Sequence, residues 1–485
     1  MIFPRLCGKT SEKRRNMKEK TQVADIDRSL YDFRYDEDEN SFLDSGITPD
    51  IIREISAEKG DPQWMTEFRL HSLDVYNRLK MPQWGPDISG LDMDGIVAYI
   101  RPQKRMQSDW SEVPEDIRET FEKLGIPQAE RESLAGVGAQ YDSELVYHNV
   151  RREVAESGVV YTDLESAMHD ERYAELIRSH FMKLVPPTDH KFAALHGAVW
   201  SGGSFVYVPA GVHLEIPLQS YFRLNARGAG QFEHTLIIVE ENAYLHFIEG
   251  CSAPKYYEAS LHAGCVELYV GKNSTLRYST IENWSKNMYN LNTKRATVAE
   301  GGKVEWVSGS FGSHVSYLYP MSILNGRGAR AEFTGITFAG EGQNLDTGAK
   351  IVHNAPDTSS YMNTRSISKS GGISTFRSSV VVGRNASGSK SSVSCESLML
   401  DSISRSDTIP SMVIETDKAD VGHEARIGRI SDEAVFYLMS RGLGEDSAKA
   451  LIVSGFAENV SKELPLEYAA EMNNLINIEM KGSIG

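Results

Sequence analysis

The sequence predicts a mainly β protein whose core is a solenoid, flanked by helical regions at both ends. One observation is a short repeat, in which an apolar residue, a run of turn-forming residues and a second apolar residue follow one another. Another is composition, because 40 glycines against only 17 prolines favour many tight turns over a helical bundle. The third is a change from helical periodicity to alternating strands near Phe192, and back again near Ile430.

The repeat is clearest in the middle of the chain. It spans Val239–Leu245, Val270–Leu276 and Val298–Val304, so successive copies lie 31 and 28 residues apart. Looser copies begin at Leu324 and Ile414. Repetition of this length in β-rich sequence favours a parallel β-helix, in which each coil stacks on the one before it. On this pattern alone, an antiparallel sandwich with similar turns is the alternative.

Helical periodicity is typical of the region before the solenoid, which we place at residues 17–190. One helix is expected to begin after Thr48, which precedes Pro49 in the order of an N-cap and a first helical residue. Further helices are expected through 111–126 and through 160–185, the latter ending before two prolines. Residues 1–16 are expected to be a disordered extension, with Met17 as an alternative start.

The predicted β core of residues 191–430 is followed by a second helical region at 431–485. Ser431 has the position of an N-cap and Gly442 that of a helix stop, and two more amphipathic segments follow. Helices appended to a solenoid predict an exposed surface on which a partner docks.

Charge and cysteine content exclude several classes of function. The formal net charge of −16 disfavours binding to nucleic acid. The sequence contains no run of 18 apolar residues of the kind that would indicate a membrane span. The four cysteines form neither a CxxC pair nor a disulfide framework, which is typical of a reducing cytoplasm.

Signatures of the common enzyme classes are absent, and we predict that the chain is not an enzyme. The stretch beginning at Gly383 is similar to a phosphate-binding loop, but Ser389 separates the glycine from the lysine that should follow it. A carbohydrate-active enzyme on a β-helix is a remote alternative, because it would need a groove of clustered acidic and basic residues that the sequence does not indicate.

Three cysteines and one His-Glu pair are candidates for chemistry. Cys251 closes a strand-like run before a turn, where another protein could reach its thiol, whereas Cys265 lies inside a strand and is expected in the core. Cys395 alternates with polar residues near the end of the β region. The adjacent His423 and Glu424 offer nitrogen and oxygen ligands to iron or zinc, although strand neighbours point to opposite sides.

Several segments, taken together, resemble the SufB/SufD family of iron–sulfur cluster assembly scaffolds. They include FRLNARGAGQFEHTLIIVEENAYLHFIEGCSAP, STIENW, LDTGAKIVHNAPDTSS, VSCESLML, GHEARIGRIS and SKELPLEYAAEMNNLI, and the likeness runs from about residue 20 to the C-terminus. The resemblance implies a right-handed parallel β-helix between helical regions. It also implies a SufB-type scaffold that accepts persulfide sulfur and iron, assembles a transient [4Fe-4S] or [2Fe-2S] cluster and hands it to acceptor proteins. A SufD-like partner subunit of the same complex is the alternative.

The resemblance also implies roles for individual residues. The sulfur acceptor corresponds to Cys251 and the cluster-building cysteine to Cys395, with Glu424 preferred over His423 as a further ligand. Residues of a sulfur path through the β-helix correspond to Arg223, Asn225, Glu282, Trp284 and Lys294. Glu282 replaces a glutamine found in some relatives, and its carboxylate would repel a migrating persulfide anion. Since Cys395 and Glu424 lie about one repeat apart, they are expected to approach each other on one face.

The partners that the resemblance implies are those of the SUF machinery. They are a SufC-type ABC ATPase on the C-terminal helices, SufD or a second SufB copy, and a cysteine desulfurase with a SufE- or SufU-type carrier. Reduced flavin is a candidate cofactor of the complex.

Overall fold

The computed structural model describes residues 46–100, 134–225, 228–253, 259–464 and 466–481. Within these ranges the chain forms a parallel β-solenoid of about eight turns, with helices before and after it. The predicted fold class, mainly β with a parallel solenoid core and helical flanks, is confirmed. An antiparallel sandwich is excluded because successive coils pair in parallel register.

The first helices of the described chain begin where the capping signals predict. Helix α1 is Pro49–Glu58, and the hydroxyl of Thr48 accepts a hydrogen bond from the Ile51 amide at 3.3 Å. Helix α2 is Gln63–Arg78. The helix predicted through 111–126 and the extension predicted at 1–16 lie outside the described residues.

The single helix predicted through 160–185 is wrong. This segment forms strand β3 (Val160–Asp163), helix α4 (Leu164–His169) and helix α5 (Ala174–His180). Strand β3 pairs antiparallel with β4 (Ser204–Val208), so pairing between distant segments overrides the local helical pattern. The side chain of Asp163 then caps α4 by accepting from the Ser166 amide at 2.7 Å.

Strands also precede the predicted start of the β core at residue 191. Strand β1 (Gly136–Tyr141) pairs antiparallel with β2 (Glu144–Val150) and parallel with β5 (Leu218–Arg223), and the short helix α3 (Arg152–Glu156) follows them. Helix α6 (Lys191–Val199) lies where the alternating pattern was expected to begin.

Two sheets wrap the solenoid. The first sheet begins with β2, β1 and β5. It continues, in order, with β8 (Tyr244–Ser252), β11 (Thr275–Asn283), β14 (Lys303–Phe311), β17 (Arg330–Ala339), β19 (Ser359–Ser368), β21 (Lys390–Met399) and β23 (Asp420–Arg429). The second sheet contains β3, β4 and the remaining strands β6 (Gly230–Gln231), β7 (His234–Val239), β9 (Ser260–His262), β10 (Cys265–Val270), β12 (Met288–Asn290), β13 (Thr293–Val298), β15 (Val315–Leu318), β16 (Met321–Leu324), β18 (Asn344–His353), β20 (Ile373–Val382) and β22 (Arg405–Ile414).

The sequence repeat is the stacking register of the coils. Val239, Val270 and Val298 are direct neighbours on adjacent strands of the second sheet. Across the turn, Leu276 lies between Leu245 and Val304 in the first sheet. These side chains belong to the buried cluster that fills the solenoid interior. The apolar positions of the repeat therefore stack in register from coil to coil and form the solenoid core.

Three helices follow the solenoid: α7 (Asp432–Ser440), α8 (Glu445–Ser461) and α9 (Leu466–Lys481). Ser431 caps α7 by accepting from the Ala434 amide at 3.1 Å, and Gly442 follows the helix end with a φ of +94°, as predicted. Helices α8 and α9 pack buried residues such as Val453 and Ile476 against the outer face of the first sheet. Most of the described apolar residues of α9 are consequently part of the fold rather than free surface, whereas Leu451 on α8 is exposed.

Candidate functional site

Cys251 lies inside the solenoid, and the expectation of an accessible thiol is wrong. The side chain is 1% exposed and packs with Phe222 and Trp284. Burial, reinforced by the nearby carboxylates of Glu249, Glu233 and Glu282, raises the pKa of the Cys251 thiol well above its usual value. The thiol is therefore neutral and shielded in this conformation.

A buried lysine connects the carboxylates around Cys251. The ammonium of Lys294 lies 2.9 Å from Glu249 Oε1 and 3.6 Å from Glu282 Oε1, and it donates to the hydroxyl of Thr280 at 3.1 Å. Burial opposes the charge of Lys294, but the two carboxylates outweigh it and hold its pKa above the usual value. The Tyr278 hydroxyl donates to the other oxygen of Glu249.

Glu282 is the direct neighbour of Cys251 on the adjacent strand. Burial raises the pKa of its carboxyl group, and the nearby Lys294 opposes that shift. The Asn290 amide also donates to Glu282 Oε2 at 2.7 Å. With the ammonium and the amide as partners, this carboxylate is a weaker source of repulsion for a sulfur anion than its charge alone suggests.

Sequence reasoning missed His262. Together with Glu233, Glu249, Glu282 and Lys294, it forms the buried polar group around Cys251 that we call the chamber. Its Nε2 donates to Glu233 Oε1 at 2.5 Å, and its Nδ1 donates to Asn290 Oδ1 at 2.8 Å. Burial lowers the pKa of His262, but Glu233 outweighs it, so the net shift is upward. The Trp284 ring lies 4.4 Å from the imidazole between ring centroids. The spacing in the sequence could have revealed this contact, because Glu233 and Asn290 lie 29 and 28 residues from His262, which is about the repeat length.

Arg223 and Asn225 are buried beside this chamber, but the structure does not place Arg223 on the Cys251 side of its strand. Arg223 pairs in register with Ser252, whose hydroxyl accepts from its guanidinium at 3.0 Å, whereas Phe222 pairs with Cys251. Side chains alternate along a strand, so Arg223 points away from the thiol. The backbone amide of Asn225 donates to Asp142 Oδ1 at 2.5 Å.

Cys395 lies on the same interior face as the chamber, several coils away. Its position in β21 is in register, strand by strand, with Thr364, Gly335, Ser308, Thr280 and finally Glu249. The row of Cys251 runs parallel to it, through Glu282, Ser310, Thr337, Ser366 and Ser397. Five strand spacings of about 4.8 Å each separate the two cysteine strands by about 24 Å.

Two small cavities lie along this double row. One is lined by Glu282 and Lys294, the other by Thr337 and Thr364, and each has a volume of about 20 Å³. They share the lining residue Ser308. The two rows of mostly polar residues, which we call the polar passage, therefore run from the chamber toward Cys395, although apolar side chains such as Phe333 also line both cavities.

Cys395 is 2% exposed, and its sulfur lies 3.4 Å from the Thr408 hydroxyl. Burial raises the pKa of the Cys395 thiol, and the hydrogen bond to Thr408 opposes the shift. Strand β21 is followed in its sheet by β23 alone among the described strands. The thiol thus lies one coil from the open end of the solenoid.

The expectation that Cys395 and Glu424 share one face is wrong. Cys395 pairs with Ala425, while Glu424 pairs with Ser394 and points to the outer side, where its carboxylate binds Arg426 at 2.7 Å. His423 pairs with Val393 and therefore points inward, as Cys395 does. Its Nε2 is buried without a hydrogen-bond partner among the described residues. The roles of both residues as cluster ligands stay predictions.

The C-terminal surface expected to dock a partner is confined to a small part of the helices. Phe436, Tyr437 and Met439 on α7 are 72%, 57% and 41% exposed, and Leu443 and Leu451 are also exposed. We call Phe436, Tyr437 and Met439 the α7 patch. By contrast, the apolar residues of α9 that the structure describes are mostly buried on the solenoid.

None of the helices in the described ranges is long and apolar enough to cross a membrane.

Comparison with known proteins agrees with the geometry. Residues 222–456 match the family model "SUF system FeS cluster assembly, SufBD core domain", and residues 111–220 match "SufBD protein N-terminal region". Over 465 residues the chain is 50% identical to "Iron-sulfur cluster assembly protein SufB" of Bacillus subtilis (strain 168), which covers 96% of this chain and 99% of the relative. An "Iron-sulfur cluster assembly SufBD family protein" of Staphylococcus aureus (strain MRSA252) is also 50% identical, with the same coverage. The chain therefore belongs to the SufBD family of iron–sulfur cluster assembly proteins.

Proposed function

We propose that this chain is a SufB-type scaffold that accepts sulfane sulfur at Cys251, moves it through the solenoid interior and builds a transient cluster at Cys395. The observation that carries the proposal is the polar interior passage between the two cysteines. A solenoid needs only an apolar interior to fold, so a row of hydroxyls and charges there calls for a function.

Sulfur entry would be a thiol exchange. When the site opens and the Cys251 thiol loses its proton, the thiolate attacks the outer sulfur of a carrier persulfide and the sulfur–sulfur bond of the carrier breaks. The carrier departs as its thiolate, which takes up the released proton. The ammonium of Lys294 would stabilise the Cys251 persulfide anion that results, because it already lies among the carboxylates around Cys251. Since Cys251 is buried, transfer requires an opening of the chain near the end of β8.

Transport over about 24 Å cannot be a relay of protein persulfides, because none of the described residues between the cysteines in either row carries a thiol. Apart from Gly335, these residues carry hydroxyls or carboxylates. Sulfur would move as a small released species, hydrogen-bonded by groups such as Thr280, Ser308 and Thr337. Reduction of sulfane sulfur to sulfide takes two electrons, which reduced flavin in the complex would supply.

At the far end, Cys395 and His423 face the interior and would hold iron with one sulfur and one nitrogen. Glu424 would contribute an oxygen only from the outer face. So few protein ligands suit a cluster that is released to an acceptor, whereas four thiolates would retain it.

The test separates entry from transport. With a desulfurase, its carrier and radiolabelled cysteine, Cys251→Ser should lose the sulfane label, while Cys265→Ser should keep it. Ser308→Ile should narrow both cavities and slow cluster formation while leaving the label on Cys251 intact; exposed Ser392→Ile on β21 is the matched control. Undiminished label in Cys251→Ser, or normal cluster formation in a folded Ser308→Ile protein, would overturn the corresponding step.

Ligand assignment at the far end needs three single substitutions. After anaerobic reconstitution, Cys395→Ala should abolish most of the iron–sulfur absorption, and His423→Ala should reduce it more than Glu424→Ala, since only His423 shares the face of Cys395. A larger loss in Glu424→Ala would show that β23 changes its pairing when the cluster forms.

The partners that we propose fit two exposed surfaces. The α7 patch would bind a SufC-type ATPase. The open end of the solenoid, where Ile409, Val413 and Ile427 are exposed on β22 and β23, would pair with SufD or a second copy of this chain. Native mass measurement of the complex distinguishes these assemblies. A SufD-like role is the alternative for the chain itself, and it would be favoured if Cys251→Ser kept full activity in the assembled complex.

A further inference from the structure

A second cluster of potential ligands lies on the other side of the molecule, between the N-terminal helical layer and the second sheet. It consists of His196 on α6, His234 on β7 and Cys265 on β10. One ligand atom from each of the three lies within 4.8 Å of the other two, and all three side chains are buried. His234 and Cys265 are direct neighbours on paired strands.

We propose that His196, His234 and Cys265 form a binding site for a divalent cation of borderline softness, such as Zn²⁺ or Fe²⁺. Imidazole nitrogen and thiolate sulfur are the ligands that such cations prefer in proteins. The site is independent of the sulfur passage and of the proposed cluster ligands, because none of its residues lies in the two rows that link Cys251 to Cys395.

The hydrogen bonds around the imidazoles leave the inner nitrogens available. His196 Nδ1 donates to the Ala263 carbonyl oxygen at 2.9 Å, so its Nε2 is the nitrogen that faces His234 Nδ1 at 3.0 Å. Because a carbonyl oxygen can only accept, the proton of His196 lies on Nδ1, and its Nε2 offers a lone pair directed into the cluster.

His234 has the same arrangement with a carboxylate in place of the carbonyl. Its Nε2 lies 3.2 Å from Glu267 Oε2 but makes no hydrogen bond among the described residues, although His234 is 0% exposed. Histidine ligands of metals commonly have such a carboxylate or carbonyl on the second nitrogen, which orients the ring. A cation on His234 Nδ1 would fix the proton on Nε2 and supply the missing bond to Glu267.

The distances fit a tetrahedral cation after small shifts, in which the two imidazole nitrogens move about 0.3 Å apart. Zn–N bonds of about 2.05 Å place two ligand nitrogens about 3.3 Å apart, close to the 3.0 Å between the two imidazoles. The sulfur would need to lie about 3.6 Å from each nitrogen, which is inside the 4.8 Å limit of the cluster.

Charge also balances. Binding moves the His234 proton from Nδ1 to Nε2 and releases the thiol proton of Cys265, so the cation, the thiolate and the Glu267 carboxylate sum to zero. Glu267 is anchored by the amides of Met182, Leu184 and Val185 at 2.5, 2.7 and 2.9 Å. The cation would thereby fasten α6 and the segment after α5 to the second sheet.

The test uses the full chain with one thiol left. In the Cys7→Ser, Cys251→Ser, Cys395→Ser background, any sulfur-to-metal charge-transfer band must come from Cys265. Refolding this protein anaerobically with Co²⁺ should give one bound equivalent, tetrahedral d–d bands and a thiolate-to-cobalt band. Adding Cys265→Ala should remove the charge-transfer band. Competition with Zn²⁺ and with Fe²⁺ then shows which cation the site prefers.

Two further measurements keep the proposal falsifiable if Cys265→Ala does not fold. Glu267→Gln should weaken Co²⁺ binding by about 10- to 100-fold while keeping the sulfur band, as expected for a residue that orients a ligand. In the single-thiol protein itself, Co²⁺ should raise the unfolding midpoint. Absence of the charge-transfer band in that folded protein, or a band that survives His196→Gln and His234→Asn, would overturn the site.

Discussion

Replacing Lys294 by methionine tests the electrostatics of the chamber most directly. The substitution keeps most of the side-chain volume but removes the ammonium that lies 2.9 Å from Glu249 and 3.6 Å from Glu282. Both carboxylates are 1% exposed, so water cannot take over the role of the ammonium. Breaking a buried ion pair by removing one partner costs about 3–5 kcal/mol, and we expect a loss of that size in the free energy of unfolding.

The loss should depend on pH in a defined direction. The folded pKa of Lys294 is raised, so its contribution is fully present below the pKa of an unfolded lysine and is lost only as pH rises through the higher folded value. In the variant, the penalty comes from ionised carboxylates. Burial already raises the pKa of Glu282, and without Lys294 this carboxyl should protonate more readily. The difference between the two proteins should therefore shrink as pH falls from about 8 to about 5.

Urea unfolding followed by tryptophan fluorescence measures this difference, because Trp284 and Trp306 are buried in the solenoid. Lys272→Met is the matched control: its ion pair with Glu300 is exposed, at 3.3 Å, and should contribute less than about 1 kcal/mol. In a Glu282→Gln background, Lys294→Met should cost less. If Lys294→Met were no more destabilising than Lys272→Met at neutral pH, the chamber would not be held by charge.

Three other expectations follow from particular contacts. A Cβ at Gly312 would overlap the backbone carbonyl oxygen of Trp284, whereas Gly342 has a similar positive φ and open space around it. In urea unfolding, Gly342→Ala should therefore cost about 1 kcal/mol and Gly312→Ala clearly more. Burial lowers the pKa of His353 to about 4, so acidification from pH 7 to 5 should remove about 2 kcal/mol of stability, and His353→Asn should reduce that pH dependence. Phe436→Ala should leave the thermal midpoint unchanged but weaken ATPase binding in a pull-down. Ile476 is buried, so Ile476→Ala should lower the free energy of unfolding by about 2–5 kcal/mol. Equal effects of the two substitutions on stability would contradict the packing of the helices.

Local signals in the sequence were sufficient to predict the stacked coils of the solenoid. Val239, Val270 and Val298 recur at the spacing of one coil, and the structure stacks them because apolar side chains at the same point of each coil share one interior. Capping at Thr48 and Ser431 was equally local, since each hydroxyl binds an amide three residues ahead. The prediction of one helix through 160–185 was wrong because the first residues of this segment pair with a strand some 40 residues later, which no local pattern indicates.

The arrangement of the site depended on tertiary structure. Which face of β23 carries Glu424 depends on a one-residue register against β21, and a shift by one residue inverts every side chain. The burial of Cys251 and the assembly of Glu233, His262 and Asn290 arise from coils that meet only after winding. Residue types and spacing thus determine that the chain winds and which groups it carries inside. Their charges, partners and access to solvent are decided by packing, because each depends on neighbours about 30 residues away in sequence.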